Sequence, residues 1–166
     1  MATYSTEQYL TGAKVRVTAD QSEWFNFTFK LPAGTAFASA DRINLALMGD
    51  NHQIISYQVG TDASIAATTG NSTLSVTSDA DGSPGDDNIS GNIADFGGAG
   101  ATVGGFISVD HRTTDGAALF LTLGTLGTAV SAGERSVNVS VLVKGVSATA
   151  PVYGASRVTY SSPYPL

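Results

Sequence analysis

Four valines at every second position, Val137, Val139, Val141 and Val143, alternate with Ser136, Asn138 and Ser140. A period of two places the valines on one face of a strand, whereas a helix would scatter them around its circumference. The same alternation puts Phe25, Phe27 and Phe29 opposite Asn26, Thr28 and Lys30, and it groups Ile43/Leu45/Leu47 and Ile55/Tyr57/Val59. Leu119/Leu121/Leu123 alternate with Ala118 and Phe120, so that strand is expected to be covered on both sides. Weaker strands are expected at Val15/Val17, Leu74/Val76, Ile107/Val109 and Val152–Tyr160. About nine short strands separated by turn residues such as Leu31-Pro32-Ala33-Gly34 and Met48-Gly49-Asp50-Asn51 make an all-β sandwich or barrel. No window carries a helical stripe. Residues 35–42 are at most one short turn of helix.

A chain of 166 residues predicts one domain, at roughly 150 residues per domain, large enough to bury its own core. The segment from Ser78 to Gly105 is nearly all Asp, Gly, Ser, Ala and Asn. It reads as one long surface loop, pinned by the isolated apolar residues Ile89, Ile93 and Phe96. The expected organisation is an N-terminal arm at 1–12, a body at 13–160 containing the 78–105 loop, and a tail at 161–166.

Chemistry is sparse. With no Cys, disulfides, thiolate zinc sites and thiol nucleophiles are excluded. Hydrolysis needs a nucleophile with a base in reach, and only His52 and His111 could serve as that base. Both are expected at strand ends on the surface. No G-x-S-x-G elbow marks a serine, no H-E-x-x-H occurs, and three Glu (Glu7, Glu23, Glu134) leave paired-carboxylate chemistry to Asp. Counting Asp79 as position 1 of a calcium loop gives Asp81, Ser83 and Asp87 at 3, 5 and 9, but Pro84 and Ser90 stand where Gly and Glu belong. The glycines at 97–100 lack the lysine of a phosphate loop. No catalytic residue, cofactor or metal is therefore expected. Four Asn-x-Ser/Thr triplets, at Asn26, Asn71, Asn88 and Asn138, are read as chance in a Ser/Thr-rich chain.

Fourteen acidic against eight basic residues give a net charge of −6 with no Lys/Arg cluster, which argues against a nucleic-acid partner. No apolar run reaches the length of a membrane span, and the opening residues lack the features of a secretion signal. Aromatic and apolar residues on otherwise polar ends, Tyr4, Tyr9, Leu10, Tyr160, Tyr164 and Leu166, are what docking arms carry. These six are the candidate interface.

In order along the chain stand MATYSTEQYL, KLPAG, ADRINLALMGDN, ISYQVGT, DGAALFLTLGT and SAGERSVNVSVLV. This series resembles the small structural proteins of tailed bacteriophages in the head decoration (cement) class, over most of residues 1–143. The resemblance implies an antiparallel β-sandwich of jelly-roll type with terminal arms. It also implies a homotrimer bound to the major capsid protein on the outer surface of the head, where it stiffens the shell. The 78–105 loop and the tail beyond Lys144 depart from the pattern. Two other readings remain: a tail, neck or fibre component, and a carbohydrate-binding module using Trp24, Tyr57, Tyr153 or Tyr160, although Trp24 is expected to pack inside.

Overall fold

The computed structural model describes residues 3–31, 41–61, 72–77, 87–94, 96, 102–108, 111–124 and 135–147. Expectations for residues 35–40, for Val109 and for everything beyond 147, including Tyr153, Tyr160, Tyr164 and Leu166, lie outside the described residues. Among those described there are ten strands and one short helix: β1 (Thr3–Ser5), α1 (Glu7–Leu10), β2 (Lys14–Val15), β3 (Ser22–Leu31), β4 (Arg42–Met48), β5 (His52–Thr61), β6 (Thr73–Val76), β7 (Asp87–Asn88), β8 (Thr102–Phe106), β9 (Ala118–Thr122) and β10 (Arg135–Gly145).

The strands form two sheets. One has the order β3-β10-β5-β8; the other runs β4-β9-β6-β7, with β1 and β2 added beside β4. Counted as eight body strands from β3 to β10, the first lies beside the eighth and the third beside the sixth, while the second lies beside the seventh and the fourth beside the fifth. Every pairing among these eight is antiparallel. That is the order of a jelly roll, in which the chain crosses from sheet to sheet between successive strands except at the fourth and fifth, which pair with each other. The all-β sandwich expected from the alternation is present.

The core lies between the sheets. Val137, Val139, Val141 and Val143 of β10 are buried against Phe27, Tyr57 and Val59 on their own sheet and join Ile43, Leu45, Leu74, Val76, Leu119 and Leu121 of the other in one apolar cluster. Burying each such side chain contributes about 1.5–3 kcal/mol, so these residues hold the body together. Residues of β9 are buried on both faces, and the Arg42 guanidinium lies 3.4 Å over the Phe120 ring. Ile89, Ile93 and Phe96 are all buried, as anchors would be.

Two bulges change which residues point inward. Pairing of β4 with β9 shifts between Asn44 and Ala46, and Ala46 and Met48 are buried while Leu47 is half-buried. Pairing of β10 with β5 shifts at Leu142/Val143, and Ile54 enters the core in place of Ile55. An extra residue in one strand reverses the alternation beyond it.

The expected N-terminal arm is folded into the body over Thr3–Leu10. β1 pairs in parallel with β4, and β2 follows along the same strand, also in parallel. Between them Thr6 caps α1 by accepting from Tyr9 N–H, and its hydroxyl donates to the Leu45 carbonyl across 2.5 Å. The cap and the buried acceptor together explain a helix that no periodicity announced. The expected 78–105 loop is likewise interrupted, because β7 and β8 lie within it and β8 pairs with β5.

Candidate functional site

The face of the β3-β10-β5-β8 sheet that points away from the core is the candidate site. The alternation that sends four valines inward sends Asn138, Ser140 and Leu142 outward, and register then fixes their neighbours. One row across the four strands is Trp24, Leu142, Ser56 and Phe106. The next is Asn26, Ser140, Gln58 and Gly104, and the third is Thr28, Asn138, Gly60 and Thr102. No charged side chain stands in these three rows, in a chain carrying 22 charged residues.

The first row is apolar and exposed. Phe106 is 91 % and Trp24 45 % exposed, and with Leu10 they are the large exposed hydrophobic residues among those described. Strands about 4.8 Å apart place the two rings roughly 14 Å from each other. The two remaining rows are small and polar. Thr28 Oγ1 donates to Asn138 Oδ1 at 2.9 Å, and Ser140 Oγ donates to Asn26 Oδ1 at 2.6 Å. Each hydroxyl occupies an amide oxygen, and the two amide NH2 groups have no acceptor among the described residues. Where Gly60 brings no side chain, the surface drops into a depression of about 160 Å³ lined by Gln58, Gly60, Thr61, Thr102, Asn138 and Ser140. Gly104 beside it is tied to backbone geometry: a Cβ there would meet the Tyr57 carbonyl oxygen at 2.7 Å.

The residues singled out in the sequence fall elsewhere. Tyr57, expected as a possible sugar platform, is buried, and burial pushes its phenol pKa up. Its ring lies over Gly105 on the neighbouring strand, where a Cβ would come within 3.2 Å of it. Trp24, expected to pack inside, is half exposed on the outer face. Tyr4 packs on Phe29 with ring centroids 5.6 Å apart, Tyr9 is half-buried, and Leu10 at the end of α1 is 74 % exposed. Tyr160, Tyr164 and Leu166 lie outside the described residues. A cleft of about 400 Å³ separates α1 from β3, walled by Thr6, Glu7, Gln8 and Thr11 on one side and Asn26, Phe27 and Thr28 on the other.

Among the described residues both histidines make structural contacts. His52 is buried, against the expectation of a surface residue, because its Nε2 accepts the Val17 N–H at 2.7 Å. That bond puts the ring proton on Nδ1, which is buried with no partner among the described residues. Thr113, the hydroxyl nearest its backbone, donates to the Gly49 carbonyl and accepts from His52 N–H, so it serves as a structural tie. His111 Nδ1 lies 3.0 Å from Asp87 Oδ2, a contact that fastens β7 to the segment before β9. Among the described residues no group of three or more His, Asp or Glu side chains is placed to hold a metal ion. Phe106 and the three-row face escaped the sequence reading because β8 lies in a Gly-rich stretch that shows no alternation.

No protein-family model and no curated protein matches this chain. Among solved structures it is similar to a chain in the capsid of Ralstonia phage GP4, with a TM-score of 0.57 and 17 % identity, across 88 % of this chain and 100 % of that one. A chain of the cyanophage Pam1 capsid asymmetric unit aligns with a TM-score of 0.44 and 12 % identity, over 80 % of this chain and 91 % of that one. The likeness to the first of these is one of fold: the two-sheet body seen here is an architecture that a capsid chain of similar size also adopts.

Proposed function

We propose that this chain is a non-enzymatic structural protein of a phage particle, and within that class a head decoration protein that binds the outer surface of the capsid as a homotrimer. The observation that carries the reading is the likeness in fold between this jelly roll and a capsid chain, across 88 % of this chain and 100 % of that one. A rigid two-sheet body suits the task, because a protein that binds only the assembled shell stabilises that state by mass action. His52, His111, Asp87 and Asp115 are committed to structural contacts, which fits a role without bond-breaking chemistry.

In this reading Leu10, exposed on the short helix beside the α1–β3 cleft, belongs to the surface that meets the major capsid protein. Purified particles examined by quantitative mass spectrometry should contain hundreds of copies of the chain, and particles lacking it should lose their contents at lower temperature. A count matching a single ring would move the protein to the neck or tail. Leu10→Ser should weaken co-sedimentation with capsids while leaving the thermal midpoint of the isolated chain unchanged. Full attachment of that variant would remove Leu10 from the docking surface.

A further inference from the structure

The geometry points to the outer face of the β3-β10-β5-β8 sheet as a binding face for a neutral oligosaccharide. The sugar lies along the row from Trp24 to Phe106, with hydroxyl groups reaching into the depression at Gly60. This inference does not rest on capsid attachment.

The match is one of chemistry. A sugar ring offers apolar C–H faces and an edge of hydroxyls that both donate and accept. The protein face is divided in the same way, with two aromatic side chains and Leu142 in one row and amides and hydroxyls in the next two. Aromatic rings supply flat apolar area at low entropic cost, and a few placed polar groups fix orientation. The donors are already set, because Thr28 and Ser140 engage the oxygens of Asn138 and Asn26 and leave each NH2 to donate outward.

Charge argues for a neutral ligand. The three rows hold no ionised group, and the cations nearest in register, Lys30 and Lys144, stand one row beyond opposite ends of the face. At about 6.8 Å per two-residue step they are roughly 27 Å apart, too far to grip one anion together. A protein partner fits less well. The buried centres of protein interfaces are rich in aromatic residues, Met and Arg and poor in Ser, whereas two of the three rows here are Ser, Thr, Asn, Gln and Gly.

The chain has one tryptophan, and it lies in the site, so its fluorescence reports binding directly. The full chain should bind members of a neutral glycan array, and titration with a hexasaccharide from that array should change Trp24 emission saturably. Phe106→Ala should weaken binding about fivefold, the size of one aromatic contact, without shifting the thermal midpoint, since the ring is almost fully exposed. Asn138→Ala should weaken it by a similar factor. No saturable change in Trp24 emission with any neutral glycan would overturn the inference. Binding that ignores both substitutions would also overturn it. So would loss of capsid attachment in Phe106→Ala with no glycan bound by the parent chain, which would make this face a protein contact.

Discussion

The backbone of Val17 and Thr18 passes so close to Gly145 that a methyl group built there would meet the carbonyl oxygens of both residues. Gly145 N–H donates to the Gln21 carbonyl, and its own carbonyl accepts from Asp20 N–H, so the strand end cannot move aside without breaking a turn. Overpacking of this kind costs about 1–3 kcal/mol. Gly145→Ala should lower the urea midpoint of unfolding by a corresponding amount at unchanged slope, and an unaltered midpoint would mean that the turn yields freely. Asp115 shows a charge effect at the same scale. The hydrogen bond from Lys14 Nζ at 2.6 Å, with the charges of Lys14 and Arg16 added, holds its carboxyl below the ordinary value of 3.8. A carboxyl depressed in the folded state contributes stability above that ordinary value and loses it as pH falls through the folded one. Urea midpoints of the parent and of Asp115→Asn, followed from neutral pH down through the carboxylate range, should therefore converge in acid. The gap at neutral pH should be small, because the pair is exposed.

At the scale of elements, β1 and α1 behave as part of the sandwich. β1 extends the sheet beside β4, Tyr4 covers Phe29, and Thr6 satisfies the Leu45 carbonyl. Deleting residues 1–11 should destabilise the body by on the order of 3 kcal/mol, from lost burial and an orphaned acceptor. Chemical denaturation of the truncated chain measures this, and equal stability would show β1 to be dispensable. Strands with unbroken alternation were legible in the sequence: Val137 to Val143 gives β10 and its inward face, and Leu119 to Leu123 gives the doubly covered β9. Legibility fails at the bulges, where Ile54 replaces Ile55 and Met48 replaces Leu47, because one inserted residue has no signature in a run of apolar side chains. It fails again at β8, where Thr102-Val103-Gly104-Gly105-Phe106 is a strand by virtue of pairing with β5. Phe106, at the end of that strand, was missed with it. The short cap at Thr6 depends on a carbonyl 39 residues away, and sequence proximity carries no trace of such a contact.

For the molecule as a whole, the sandwich depends on pairings between distant parts of the chain. β10 lies between β3 and β5, and the Asn26–Ser140 contact joins residues 114 apart. Loops of that length must close before their contacts contribute, so sheets of this kind fold in milliseconds to seconds. Stopped-flow refolding followed through Trp24, which sits on β3 opposite Leu142 of β10, should show its main phase in that range. A phase complete in microseconds would imply that β3 orders without its neighbour.

The central position of β10 also bears on synthesis. While the ribosome is still making the chain, the phenylalanines of β3 have been exposed to the cytosol for some hundred codons with no partner strand beside them. At about 5–20 residues per second, that interval lasts about 5–20 s. A cell making this protein in quantity would have to shield nascent chains over that time, and the yield of folded protein should respond to chaperone supply more than to any property of the finished body.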